Sequence, residues 1–248
     1  MRDLHRRLVE FESDVLYQEP PEDGRSHIGY LRGSTPVLLS APHAAVHTRQ
    51  GETKEEEEFT AALVSLAAKQ TGAHAIYARR ASLTDPSWYA GVPYKRCLRR
   101  LAGRYGLCFV LDVHGTAPDR PFGVALGTMK GRSCPDQRDT IISTLEACGF
   151  RRGGAFVDRL DIDRAFTGAG QRYQETITRF VSEGLGIQAA QIELHPLLRV
   201  VERRQDATLP RPYRGDRERI ERVVRALSCL AQSLVPGPAA HSIIDGST

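Results

Sequence analysis

Three apolar segments of this 248-residue sequence carry ionisable residues at or near their ends. They are residues 36–44, which deliver His43, residues 109–115, which carry Asp112 and His114, and residues 188–196, which carry Glu193. Short runs of branched and aromatic residues predict buried strands. Because side chains alternate across a strand, Asp112 and His114 project to the same side. Burying several ionisable groups is costly unless a metal ion or a partner compensates, so the three segments indicate one shared site.

Strand-like and helix-like segments alternate along the chain, which predicts an α/β fold with a largely parallel sheet covered on both faces. Further strands are expected at 73–77 and 122–128, and helices at about 54–72, 94–105, 136–148, 174–183 and 215–234. At this length we expect a single sizeable domain. We assign 1–35 to a charged N-terminal extension, 36–235 to the domain and 236–248 to a flexible tail rich in Pro, Gly, Ala and Ser.

Composition narrows the classes of function. The net charge of +4 comes almost entirely from arginine, but no recognition motif or aromatic interleaving accompanies it, which argues against nucleic-acid binding. The five cysteines never form a CxxC pair, so we expect neither a disulfide framework nor a thiolate zinc site. The chain shows no signal-peptide pattern and no apolar run of membrane-spanning length. These features predict a cytoplasmic protein with no membrane partner.

A hydrolytic zinc site needs three nitrogen or oxygen ligands from the protein and an open position. His43 and His114 supply two imidazoles, and the third ligand should be a carboxylate. We expect Glu58, because a helix starting within 54–58 would turn that side chain toward the end of the sheet. Its neighbour Glu57 remains open, as does His47, four residues after His43.

Other residues receive roles around this single zinc ion. Asp112 would orient His114 or contact the substrate. Glu193 is the expected general base, which takes a proton from water and passes it to the leaving nitrogen. Gly168 and Gly170 lie in a flexible loop that would let the backbone approach the substrate.

Taken in order, these motifs resemble the N-formylglutamate amidohydrolase family, within the wider group of zinc carboxypeptidase-like hydrolases. The resemblance covers about residues 37–199 and rests on five segments of the sequence. They are residues 38–44, Glu58-Phe59-Thr60, residues 111–115, the glycine loop 166–170 and residues 191–194. Asp85-Pro86 occupies the family's Asp-x-Asn-Arg region.

The resemblance implies a three-layer α/β/α sandwich with a mixed, largely parallel central sheet, of the phosphorylase/hydrolase-like kind. It also implies zinc on His43, Glu58 and His114, with Glu193 as base. The chain departs from the family in two ways: Ser87-Trp88 replaces Asn-Arg, and position 46 is valine, so the His-x-x-Glu spacing is missing. A substrate carboxylate would then need another arginine, for which the candidates are Arg80, Arg96 and Arg199.

Two functions follow as hypotheses. The first is a zinc-dependent amide hydrolase, amidohydrolase-like or carboxypeptidase-like, that cleaves a C–N bond near a carboxylate in a small acidic amide or peptide. The second is a non-catalytic relative that keeps the scaffold to bind an acidic ligand or a protein partner. The metal content of the purified protein separates them.

Overall fold

The computed structural model describes residues 2–208 and 214–236; the predicted tail lies outside them from residue 237 onward. The helices are α1 (Arg2–Glu12), α2 (Thr60–Thr71), α3 (Pro93–Tyr105), α4 (Arg138–Ala147), α5 (Ile177–Arg179) and α6 (Arg217–Ser233). The strands are β1 (Ile28–Leu31), β2 (Val37–Ala41), β3 (His47–Arg49), β4 (Glu52–Lys54), β5 (His74–Ala78), β6 (Phe109–Gly115), β7 (Val124–Gly127), β8 (Leu160–Ile162) and β9 (Gln188–Leu194). Among the described helices, none combines the length and apolarity needed to cross a bilayer.

Seven strands form one mixed sheet in the order β1-β5-β2-β6-β9-β7-β8. The central strands β5, β2, β6 and β9 run parallel, while β1 and β7 pair antiparallel with β5 and β9. β3 and β4 form a separate hairpin. Helices cover both faces of the sheet, so the expected three-layer α/β/α sandwich is confirmed.

Alternating side chains of the central strands fill two cores. Leu39 and Leu111 belong to the larger core, together with residues of α1, α2, α4 and α6. Leu38 and Val110 belong to the smaller core, together with residues of α3 and the segment around α5. This period of two explains why both faces of the sheet are covered, because each strand offers apolar side chains in both directions.

On the face of the smaller core, three neighbouring strands change from apolar to polar as they approach their carboxyl ends. Leu38, Val110 and Ala189 are buried apolar residues at the start of this face. Further along, Ser40 pairs in register with Asp112, which pairs with Gln191, and His114 pairs with Glu193. The sheet therefore presents a cluster of polar side chains at one end of one face.

Residues 2–31, expected to form an extension, supply an amphipathic helix packed on α2 and an edge strand of the main sheet. The helix expected from about residue 54 begins at Thr60, because 47–54 form the β3–β4 hairpin. At the tip of this hairpin, Gln50 and Gly51 both have positive φ, as a tight two-residue turn requires. The helix expected over 174–183 is a short α5 followed by a π-helical segment over Phe180–Gly184.

Candidate metal centre and catalytic cleft

Three side chains converge where β2 and β6 end. The Nδ1 atoms of His43 and His114 lie 3.2 Å apart. The Glu57 carboxylate completes the triangle, with Oε1 at 3.0 Å from His43 Nδ1 and Oε2 at 3.2 Å from His114 Nδ1. The backbone N–H of Gly115 also donates to Glu57 Oε2 at 2.9 Å, which fixes the carboxylate. Two imidazoles and one carboxylate from distant segments thus face a common point.

The structure brings Glu57, not the expected Glu58, to the two histidines. The expectation placed both glutamates in a helix, whereas they lie in the loop before α2. The backbone N–H of Glu57 donates to the carbonyl of His43 at 2.8 Å, which ties this residue beside the imidazole. Glu58 is buried next to Arg199, and its Oε1 has no hydrogen-bond partner among the described residues.

The outer nitrogen of His43 is held by Asp85. Nε2 of His43 lies 2.9 Å from Oδ1 of this fully buried carboxylate. The same carboxylate accepts hydrogen bonds from the backbone N–H of Ser87 at 2.7 Å and from Nε of Arg49 at 2.5 Å. His47, the other open alternative, stacks on His43 with ring centroids 4.2 Å apart. Asp85 therefore fixes the ring of His43 with Nδ1 turned toward Glu57.

The outer nitrogen of His114 has an equivalent arrangement. Nε2 lies 2.9 Å from Oδ2 of Asp112, whose Oδ1 accepts a hydrogen bond from Ser40 Oγ at 3.0 Å. Ser40 in turn lies 3.1 Å from the hydroxyl of Tyr94 on α3. Asp112 is fully buried and lies against the outer nitrogen of His114.

The charges of this cluster control its protonation. Burial alone would lower the pKa of His43, but Glu57 and Asp85 outweigh burial and raise it to about 9. Burial likewise opposes the charged form of His114, and Asp112 and Glu57 raise its pKa well above the usual value. Burial would raise the pKa of Glu57, but the two histidines hold it well below its usual range. Without a metal ion, both imidazoles therefore favour their protonated forms, whereas Glu57 favours its ionised form.

The donor set fits a zinc ion. Tetrahedral zinc with bonds of about 2.0–2.1 Å to nitrogen places neighbouring ligand atoms about 3.3 Å apart. The two Nδ1 atoms here are 3.2 Å apart, and each lies 3.0 or 3.2 Å from a different oxygen of the Glu57 carboxylate. The two Nδ1 atoms face each other, so a proton or a metal cation would satisfy both. A hydrogen bond from the outer nitrogen of each ligating histidine to a carboxylate is the usual support for such a site.

A second group of possible ligands, His43, His47 and Asp85, lies on the opposite side of the His43 ring. Asp85 already accepts hydrogen bonds from Arg49 and from the backbone of Ser87. Its carboxylate therefore has less capacity left for a metal ion than that of Glu57. The geometry favours the group of His43, Glu57 and His114.

Glu193 lies in the same cluster, on β9. Its Cα pairs with that of His114 across the two parallel strands. The carboxylate is buried, and Gln191, two residues earlier on the same face, donates to its Oε1 at 2.6 Å. Burial, reinforced by the negative charge of Glu57, raises the pKa of Glu193 to about 7. A carboxyl group with this pKa can both accept and release a proton near neutral pH.

A cleft of two lobes opens at the cluster, and His43, Glu57, Gly115 and Thr116 line both lobes. The base lobe, about 610 Å³, contains Glu193 and is otherwise lined mainly by polar side chains and glycines: Arg49, Ser87, Arg120, Gly168, Gly170, Gln171, Gln174, Thr176 and Gln191. The acidic lobe, about 620 Å³, is lined by charged residues that include Arg49, Lys54, Glu55, Glu56, Glu58, Asp119 and Arg199.

Two features of the base lobe suit a polar ligand. The buried hydroxyls of Ser87 and Thr116 have no hydrogen-bond partner among the described residues. Gly168 has a φ of +74°, and a Cβ there would lie 3.2 Å from the carbonyl oxygen of Gly127. This position therefore requires glycine, and it keeps the wall of the lobe free of side chains.

The arginines predicted to bind a carboxylate lie mostly elsewhere. Arg80 donates to the carbonyls of Asp14 and Arg79, at 3.0 and 2.9 Å. Arg96 is exposed and donates to the carbonyl of Gly91. Neither lines the cleft. Arg199 is buried, donates to the carbonyl of Glu58 and lines only the acidic lobe.

Sequence reasoning missed Asp85 and Arg49 as parts of the site. Asp85 was visible as an acidic residue before a proline, in a loop that follows a strand and contains the only tryptophan. No local sequence feature distinguishes Arg49, because its hydrogen bond to Asp85 depends on the position of the β3–β4 hairpin.

The fold and the cluster define a class: a three-layer α/β/α sandwich with a histidine–carboxylate cluster at the carboxyl ends of its central strands. No known family model matches the sequence, and no curated protein does. Among solved structures, the chain is similar to N-formylglutamate amidohydrolase from Ralstonia eutropha JMP134. The TM-score is 0.53 at 13% identity, over 84% of this chain and 96% of the other.

It is also similar to a bacteriophage poly-gamma-glutamate hydrolase, with a TM-score of 0.50 at 14% identity, over 85% of this chain and 90% of the other. A metallo-carboxypeptidase from Pseudomonas aeruginosa gives 0.48 at 16% identity, over 94% of this chain and 68% of the other. The neighbours thus include the family that the motifs resemble, and at these identities the likeness establishes the shared fold.

Proposed function

We propose that this chain is a zinc-dependent hydrolase that cleaves a C–N amide bond near a carboxylate, in a small acidic amide or peptide. The observation that carries the proposal is the convergence of His43 Nδ1, His114 Nδ1 and the Glu57 carboxylate within 3.0–3.2 Å. Two of the similar solved structures are named as an amidohydrolase and a poly-gamma-glutamate hydrolase, which supports the reaction class by analogy of fold.

In this proposal His43, Glu57 and His114 hold one zinc ion. A bound zinc ion supplies a Lewis acid that polarises a carbonyl and lowers the pKa of a water molecule. Asp85 and Asp112 keep the proton on the outer Nε2 atoms, so that each imidazole offers its inner Nδ1. The protein thereby fixes both the orientation and the tautomer of its ligands.

Glu193 is proposed to be the general base and then the general acid. Because Gln191 occupies Oε1, we assign the proton transfer to Oε2. With a pKa of about 7, the carboxylate accepts a proton from the attacking water and then gives it to the leaving nitrogen. Burial of Glu193 limits exchange of this proton with bulk water.

The first test replaces Glu193 by Gln and assays a panel of N-formyl and N-acetyl amino acids and dipeptides. We expect kcat to fall by a factor of about 10²–10⁴, the usual contribution of a general base. Zinc content should remain near one equivalent, because Glu193 is not a ligand in this proposal. Glu146→Gln, the same change at a half-exposed position on α4, is the matched control. Full activity in Glu193→Gln would remove this residue from the mechanism.

The second test compares zinc binding by Glu57→Gln and Glu58→Gln, which make the same chemical change at adjacent positions. Only Glu57→Gln should weaken zinc affinity, by a factor of 10 or more, because only that carboxylate faces the histidines. Equal affinities for the two variants would contradict the proposed ligand set. Stoichiometric zinc without turnover of any amide would instead favour the non-catalytic ligand-binding alternative.

A further inference from the structure

Arg49, the last residue of β3, carries a guanidinium group fixed on two sides at the centre of the cleft. Its Nε donates to the buried carboxylate of Asp85 at 2.5 Å. Its Cζ lies 4.9 Å from the ring centroid of Trp88, so the indole supports one face of the group. The side chain remains 28% exposed and lines both lobes of the cleft.

The terminal nitrogens of Arg49 suit an anionic ligand. Within residues 2–208 and 214–236, Nη1 and Nη2 make no hydrogen bond to another residue, whereas Nε is fully used. A guanidinium held in this way presents two parallel N–H donors in a fixed plane, which matches the two oxygens of a carboxylate. Because the group is already oriented, little side-chain entropy is lost when the ligand binds.

The other arginines of the cleft are less suited to this role. Arg199 donates to the carbonyl of Glu58 and faces only the acidic lobe, where the carboxylates of Glu55 and Asp119 would repel an anion. Arg120 lines the base lobe but is exposed, and its Cζ lies over the ring of Phe166 at 5.3 Å. Arg49 alone of the three shares a buried carboxylate, Asp85, with the metal-ligand candidate His43.

We propose that Arg49 binds the substrate carboxylate and thereby selects substrates that carry an anionic group close to the scissile amide. This inference rests on the proposed function and narrows its substrate class. The link through Asp85 places the anion-binding residue and the candidate ligand His43 on the same buried carboxylate. The protein therefore fixes the distance between the substrate carboxylate at Arg49 and the scissile amide at the candidate metal site.

The experiment compares substrates that differ only by a carboxylate or a carboxamide: N-formylglutamate, its α-amide and its γ-amide. Zinc-loaded wild type, Arg49→Gln, Arg49→Lys and the control Arg100→Gln are assayed with all three. Arg100 is exposed on α3, away from the cleft. We expect wild type to prefer the diacid over at least one amide by about 10- to 100-fold in kcat/KM, as expected for a charge-assisted hydrogen-bond pair.

Arg49→Gln should lose this preference by losing activity on the diacid, with little change on the disfavoured amide. Arg49→Lys should retain part of it, because lysine keeps the charge but not the two-pronged geometry. Arg100→Gln should behave as wild type. An unchanged preference in Arg49→Gln overturns the proposal. An equal loss on all three substrates also overturns it, because Arg49 would then act only by holding Asp85 and His43.

A binding measurement separates this inference from the proposed reaction. Glutarate and glutaramide are titrated calorimetrically into the same zinc-loaded proteins. Glutarate binding that weakens about 10-fold or more in Arg49→Gln, with glutaramide unaffected, supports the inference even if no amide is hydrolysed. Absence of glutarate binding to wild type, or equal binding to Arg49→Gln, overturns it. Zinc content and the thermal unfolding temperature of each variant show whether it has folded.

Discussion

Each candidate histidine ligand is held between two carboxylates, one at each ring nitrogen. His43 lies between Glu57 and Asp85, and His114 lies between Glu57 and Asp112. In a histidine with a purely structural role, we would expect one ring nitrogen to contact a carboxylate and the other ring nitrogen to face solvent or a carbonyl group. Here the inner carboxylate is shared by both rings, which concentrates negative charge where a cation would bind.

This arrangement predicts that zinc binding is linked to proton release. The raised pKa of His43, about 9, means that the metal-free ring carries a proton below that pH, and the proton must leave before Nδ1 can bind zinc. If one proton is displaced per zinc ion, the apparent zinc affinity should therefore fall about tenfold for each pH unit below 9. Each further displaced proton should add the same factor. Calorimetry at pH 7 in buffers of different ionisation enthalpy should report at least one proton released per zinc ion.

Asp85→Asn provides the control for that measurement. It removes one of the two charges that raise the pKa of His43, so less proton release is expected at pH 7. Zinc binding without any proton release in the wild type would show that His43 is neutral in the metal-free protein, contrary to the electrostatics of the cluster.

At the level of elements, the N-terminal helix holds the start of α2. The buried carboxylate of Glu12 accepts hydrogen bonds from the backbone N–H groups of Phe59 and Ala62, at 2.7 and 3.0 Å. Tyr17 also donates to it at 2.5 Å. Glu12 therefore acts as a cap from a distant segment, at a helix whose own first residues provide no side-chain cap. The loop that carries Glu57 ends at this point.

We predict that Glu12→Gln lowers the free energy of unfolding by about 1–3 kcal/mol, the cost of leaving a buried donor without its acceptor. An amide can accept through one oxygen only, so either Phe59 or Ala62 loses its partner. Urea unfolding monitored by circular dichroism measures the change. Glu10→Gln, on the exposed side of the same helix, should change stability by less than about 0.5 kcal/mol. Equal effects of the two substitutions would show that the cap contributes nothing.

The elements that the sequence predicted well are those whose pattern is determined by burial. β2, β6 and β9 were visible because their apolar residues fill both cores, and their polar ends stood out against that pattern. β3 and β4 have three residues each and little apolar content, so the sequence predicts no strand there and starts a helix at about residue 54. Because the predicted helix started too early, the prediction placed Glu58, and not Glu57, toward the histidines. Which of two adjacent glutamates faces the site depends on a backbone hydrogen bond to His43, and sequence spacing cannot show it.

On the scale of the whole molecule, the candidate site joins parts of the chain that no local interaction connects. His43 follows β2, Glu57 precedes α2, and His114 and Glu193 lie on β6 and β9. All four meet at the carboxyl ends of parallel strands, where open α/β sheets commonly bind their ligands. The three proposed ligands span residues 43 to 114, so the site exists only when the central sheet is assembled.

Zinc should therefore stabilise the entire fold, because the unfolded chain cannot bring His43, Glu57 and His114 together. A ligand that binds only the native state adds RT ln(1 + [L]/Kd), about 2.7 kcal/mol when free zinc is 100 times Kd. Thermal unfolding at buffered free zinc should show a transition temperature that rises with the logarithm of zinc concentration and returns to its starting value with a chelator. The double variant His43→Ala/His114→Ala should show no such rise. If its transition rose as much as that of the wild type, zinc would be acting elsewhere on the surface, since the variant lacks two of the three ligands.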